Sequence, residues 1–128
     1  MYEAAVEAWF SAEHFLKLYD GSWESRHRHD WRVIVTTGAE KLDSMGVVVD
    51  FEWLKPLLGK VLTEFRECSV NDHPAFRGGI LNPSAENVAK FIYDKLKPNF
   101  NSSSARIIKV TVYETPDAYA SYLADREE

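Results

Sequence analysis

The chain has 128 residues, 45% apolar and 27% charged, the length and balance of one folded domain with its own core, so a single domain over 1–128 is expected. A formal net charge of −5 and a pI near 5.4 argue against a nucleic-acid surface, which would gather lysine and arginine on one face, and favour a small-molecule ligand. No apolar run reaches the roughly 18 residues that span a bilayer and the N-terminus lacks a basic-then-apolar leader, so a cytoplasmic protein without membrane partners is expected.

From Tyr2 to Leu18 the apolar positions recur at every second residue, through Val6, Ala8, Phe10 and Ala12, which predicts a long strand with His14 in the inward-facing row. Asp20-Gly21-Ser22 marks a turn. His27, His29, Trp31, Val33 and Val35 then recur at strand spacing until Gly38, where the run is expected to break. Because side chains alternate across a strand, His27 and His29 point to one face, and a third histidine on the adjacent strand would complete a facial trio. Three protein ligands with one open position are the set of a catalytic zinc. The single cysteine, Cys68, rules out a closed thiolate site within one subunit, as it does an internal disulfide. The competing reading is a set of unrelated surface or satisfied core histidines.

Gly46 and Val47-Val48-Val49 lead into Asp50, a helix N-cap, and Leu54, Leu57, Leu58, Val61, Leu62 and Phe65 give the following helix one apolar face. Glu67 to Asn82 is rich in polar and turn-forming residues and reads as a loop. It carries Asp72-His73, either a solvated polar pair or an aspartate that orients the ring for proton transfer. Pro83 or Ser84 opens a second helix through Val88, Phe91, Ile92 and Leu96, which Pro98 ends; Glu86 in its first turn complements the macrodipole. Asn99 to Ser104 is a connector, followed by a strand over Ile107 to Glu114 and a short one over Ala118 to Leu123. Glu114 closes an otherwise apolar strand, either as a surface group or as a buried carboxylate suited to a ligand with two parallel N–H donors. The expected class is α+β: a four-stranded antiparallel sheet with two helices on one face, in the order ββααββ.

Six fragments in this order resemble the 6-pyruvoyl-tetrahydropterin synthase family, which includes the 6-carboxytetrahydropterin synthases of queuosine biosynthesis. They are Phe10-Ser11-Ala12-Glu13-His14, His27-Arg28-His29 beside the family's H-G-H pair, Gly46 to Phe51, Asp72-His73, Leu81 to Asn87, and Val112-Tyr113-Glu114-Thr115. The resemblance implies the tunnelling fold, a homotrimer or homohexamer with sites between subunits, and zinc as cofactor on His14, His27 and His29. It further implies Glu114 as the substrate-binding anchor for a pterin ring, Asp72 and His73 as catalytic residues moving protons from a neighbouring subunit, and 7,8-dihydroneopterin triphosphate as substrate. The sequence departs from the family twice. The proton-abstracting cysteine that precedes the H-G-H pair is missing, and Glu24 stands where a variant subgroup with an E-x-x-H-G-H arrangement carries its glutamate; that subgroup forms 6-hydroxymethyl-7,8-dihydropterin. Arg28 replaces the family's glycine. The expectation is therefore a zinc-dependent pterin lyase with Glu24 as catalytic base. The alternative is a zinc-containing paralogue that binds a pterin or purine without turnover.

Overall fold

In the computed structural model, residues 1–66 and 69–125 are described. The strands β1 (Tyr2–His14) and β2 (His27–Ala39) come first, then the helices α1 (Phe51–Leu62) and α2 (Ala85–Leu96), then β3 (Arg106–Thr115) and β4 (Ala118–Leu123). All neighbouring strands pair antiparallel in the order β1-β2-β3-β4, as the periodicity predicts. Among the described residues no helix is long and apolar enough to cross a membrane.

Alternation decides which side chains meet the helices. Val6, Phe10 and Ala12 of β1, Trp31, Val33 and Val35 of β2, and Val110 and Val112 of β3 are buried on one face. Leu54, Leu58 and Leu62 of α1 and Val88, Ala89, Ile92 and Leu96 of α2 complete this core. Each helix starts where a side chain accepts an otherwise unpaired backbone N–H: Asp50 from Glu52 and Ser84 from Asn87.

The pairing register brings the histidines together. Antiparallel register sets His14 opposite His27 and Ala12 opposite His29, so the row that forms the core ends in imidazoles. β2 and β3 pair only from Arg32↔Tyr113 onward, leaving 27–31 of β2 without a β3 neighbour. β3 ends two residues beyond the last pair, and Glu114 lies just past that pair.

Several boundaries differ from the sequence expectation. β1 stops at His14 rather than reaching Leu18. Gly38 does not break β2: it pairs with Glu3 and Arg106 inside the sheet, where a Cβ would run into the Ile108 and Met1 side chains. Glycine is there for close packing rather than for a turn. The long loop contains two single 3-10 turns, Val70–Asp72 and Arg77–Gly79, while Glu67 and Cys68 lie outside the described residues. Past α2 the chain continues through Pro98 in a further 3-10 turn, Lys97–Phe100, because proline is tolerated in a first turn.

Candidate active site

His14 is fully buried, and its Nδ1 lies 2.8 Å from the carbonyl oxygen of Pro83. A carbonyl only accepts, so Nδ1 carries the proton and Nε2 keeps its lone pair. His27 is set the same way by the carbonyl of Ser25 at 2.8 Å. One ligand nitrogen from each of His14, His27 and His29 falls within 4.8 Å of the others. The rings meet edge to face, with centroids 4.5 Å apart for His14 and His27 and 4.7 Å apart for His27 and His29. Trp31 walls the trio from the core side, its ring 4.7 Å from His14 and its Nε1 donating to the carbonyl of Ala12.

The fit to a metal rests on two atoms. His14 Nε2 and His29 Nε2 are buried side-chain atoms with no hydrogen-bond partner. Burying such a nitrogen unpaired costs about 1–3 kcal/mol, so two converging orphans in an otherwise well-bonded region match a missing electrophile. Burial pushes the His14 pKa below the ordinary imidazole value, against the hydrogen bond to Pro83 and the nearby Glu114 carboxylate. Burial lowers His29 as well, with Glu114 opposing. Neutral imidazole is the ligand form. Three imidazole nitrogens and an open side suit zinc.

Two carboxylates border the trio. Glu114 places Oε2 3.8 Å from His14 Nε2 and Oε1 3.8 Å from His29 Nε2. Glu24 places Oε1 3.8 Å from His27 Nε2, and the same oxygen accepts the backbone N–H of Leu16 at 2.9 Å. These carboxylate-imidazole separations exceed hydrogen-bond length, so each acid faces the histidines without capping them.

Glu24 is held by a loop that two asparagines treat as a strand. Asn71 accepts from Phe15 N at 3.0 Å and donates to Phe15 O at 2.8 Å; Asn82 does the same to Lys17, at 2.8 and 3.0 Å. Glu24 N in turn donates to Leu16 O at 2.9 Å. Residues 15–17 are thus fixed from both sides. Asn71 reads in the sequence only as a turn-forming loop residue, and Asn82 and Pro83 only as part of the Leu81 to Asn87 fragment; nothing local assigns either asparagine its clamp or Pro83 its carbonyl contact.

Asp72 and His73 are not brought to the trio within this chain, and they do not partner one another. His73 Nε2 lies 2.8 Å from Glu64 Oε1, and its Nδ1 accepts Ala75 N–H at 3.0 Å, so the proton sits on Nε2 and points to Glu64. Phe65 and Phe91 pack on the ring at 5.2 and 4.9 Å. Asp72 is exposed and lines a separate cleft of about 200 Å³ with Phe15, Trp23 and Arg77. The expectation that Asp72 orients the ring is corrected: Asp72 closes a 3-10 turn and His73 is extended, so their side chains diverge, and Glu64 after α1 takes that place. Glu86 is exposed in the first turn of α2, as expected of a macrodipole partner.

The family model described as 6-pyruvoyl tetrahydropterin synthase matches residues 3–125. The chain belongs to that family. It is 31% identical over 126 residues to the 6-carboxy-5,6,7,8-tetrahydropterin synthase of Bacillus subtilis, covering 94% of this chain and 84% of that protein. The 6-pyruvoyl tetrahydropterin synthase of Caenorhabditis elegans superposes with a TM-score of 0.77 at 25% identity, covering 98% of each chain. The Plasmodium vivax synthase does so with a TM-score of 0.77 at 21% identity over 97% of this chain and 98% of that one. A solved variant of that enzyme is described as a catalytic residue mutant in which cysteine replaces glutamate. The four-stranded sheet with its two helices is the family's tunnelling fold.

Proposed function

We propose that the protein is a zinc-dependent pterin lyase acting on 7,8-dihydroneopterin triphosphate, with Glu24 as the base and 6-hydroxymethyl-7,8-dihydropterin as product. The observation that carries this is the position of Glu24, its carboxylate 3.8 Å from His27 Nε2 and clamped to the Leu16 backbone. The catalytic glutamate of the P. vivax synthase is a precedent for a carboxylate in this chemistry.

His14, His27 and His29 would hold the zinc through Nε2. When bound, the metal supplies positive charge against the negative charge that develops on the substrate's side-chain oxygens. Glu114, at the end of β3, offers two carboxylate oxygens to parallel N–H donors of the pterin ring and so fixes its edge. With one oxygen of Glu24 engaged by Leu16 N–H, the other takes the hydroxyl proton of the second side-chain carbon. The bond between the first and second carbons breaks, the second leaves as an aldehyde carrying the phosphates, and the first takes up a proton to become the hydroxymethyl group. The free outer edges of β1 and β4 would pair with copies of the chain to give a trimer or hexamer. In that assembly Asp72 and His73 would serve a neighbour's site.

Incubating the zinc-loaded protein with 7,8-dihydroneopterin triphosphate and weighing the pterin products tests this. We expect 6-hydroxymethyl-7,8-dihydropterin, and Glu24→Gln is expected to lower kcat by roughly a hundredfold or more while zinc stays near one per subunit. Absence of carbon–carbon cleavage in the wild type overturns the reaction, and normal turnover by Glu24→Gln overturns the base. The name of the B. subtilis relative favours a second reading, the 6-carboxytetrahydropterin product, which the same mass measurement distinguishes.

A further inference from the structure

Arg28 occupies the position between two metal-site histidines where the family resemblance expects glycine. Alternation puts its side chain on the sheet face opposite His27 and His29. It does not lie flat there: Arg28 Nε donates to Ser11 Oγ at 3.0 Å across the β1–β2 pair. A hydroxyl holds the guanidinium without neutralising it. Among the described residues no carboxylate lies within ion-pair distance of Arg28, although the chain is acidic overall.

One cleft brings this guanidinium together with two residues of the histidine site. Where β2 runs on past its last β3 pair, a cleft of about 380 Å³ is lined by residues that alternate between the two faces of the sheet. His29 and Glu114 line it from the helix-covered face; Trp9, Arg28, Arg32 and Tyr113 line it from the other. The second arginine is already committed. Arg32 Nε lies 2.7 Å from Glu7 Oε1, and its guanidinium sits 4.8 Å from the Tyr113 ring centre. Asp30 also borders the cleft and repels an anion, so the guanidinium of Arg28 is the cleft's uncompensated cation.

We propose that Arg28 binds the phosphate chain of the substrate in the cleft it shares with His29 and Glu114, while the ring stays at Glu114. A guanidinium fork fixed at Nε presents its two terminal amino groups to phosphate oxygens with little ordering left to do. This assignment rests on the pterin triphosphate reading and extends it to selectivity: the site prefers the phosphorylated substrate because of the unpaired guanidinium in its cleft. Arg28 is then a specificity residue separate from the base.

The test is calorimetric binding to the zinc-loaded protein of three probes: 7,8-dihydroneopterin triphosphate, unphosphorylated 7,8-dihydroneopterin and inorganic triphosphate. Arg28→Ala should weaken the triphosphate pterin and inorganic triphosphate by about tenfold to a hundredfold and leave the unphosphorylated pterin within about twofold. Arg28→Lys should fall between, since it keeps the charge and loses the fork. Equal weakening of both pterins, or no weakening of either phosphorylated probe, overturns the proposal. If the wild type binds neither pterin but holds inorganic triphosphate through Arg28, the pterin reading fails and the anion site stands. If inorganic triphosphate binding ignores Arg28→Ala, the anion site fails.

Discussion

At the scale of single residues, the most consequential contact outside the trio is Glu64 with His73. Their 2.8 Å bond fixes which ring nitrogen carries the proton, and the surrounding phenylalanines keep the ring from turning. Glu64→Ala should destabilise the protein by about 1–3 kcal/mol, read as a lower urea midpoint, because it leaves a largely buried Nε2–H unpaired. Glu64→Gln retains an acceptor and should lose less. Asp72→Ala, at an exposed side chain, should leave stability within about 0.5 kcal/mol. The sequence made the trio legible because period two is a local rule, and it made Glu24 legible through its offset from His27. Glu64 was not legible. It meets His73 across a turn of the chain that no spacing rule predicts, whereas Asp72 offered a neighbour in sequence that the backbone turns aside.

At the scale of elements, strands and helices were readable from alternation and from three-and-four spacing, but their ends were set by partners far along the chain. β1 gives way after His14 because Asn71 and Asn82 capture Phe15 and Lys17 with side-chain amides. Gly38 was misjudged for a similar reason, since its role is the approach of the Ile108 and Met1 side chains and not a local conformation. The asparagine clamps sit between Glu24 and the rest of the domain. Asn82→Ala should therefore cost about 1–2 kcal/mol of stability, seen by thermal unfolding, and should lower kcat more than it lowers zinc content. A variant that loses zinc and activity in equal measure would place the clamp in the metal site rather than in the loop of the base.

At the scale of the whole molecule, the buried histidines tie stability to pH. His14 and His29 have pKa values lowered by burial, whereas in the unfolded chain they titrate near 6.5. Below about pH 6.5 the unfolded chain takes up protons that the folded one refuses, so the metal-free protein should lose stability as pH falls through that value and hold it above. Urea midpoints of zinc-free protein between about pH 5 and 8 check this, and His14→Gln should flatten the acid slope. Zinc added in excess should move the acid loss to lower pH, because protons must then also displace the metal. The fold as a whole was legible because its core rows are regular, while the cleft beside Arg28, His29 and Glu114 was not, because it lies where pairing stops rather than on any residue pattern.

The β1–β2 register gives the alternating histidines and arginine of β2 a further meaning. A strand that slipped by one residue against β1 would turn Arg28 toward His14 and send both His27 and His29 to the opposite face. A fixed cation would then stand beside His14 in place of two imidazoles, and the three-histidine cluster would not form. Only the correct alignment gathers the three imidazoles, so the segment's own alternation penalises the nearest incorrect pairing with a misplaced charge.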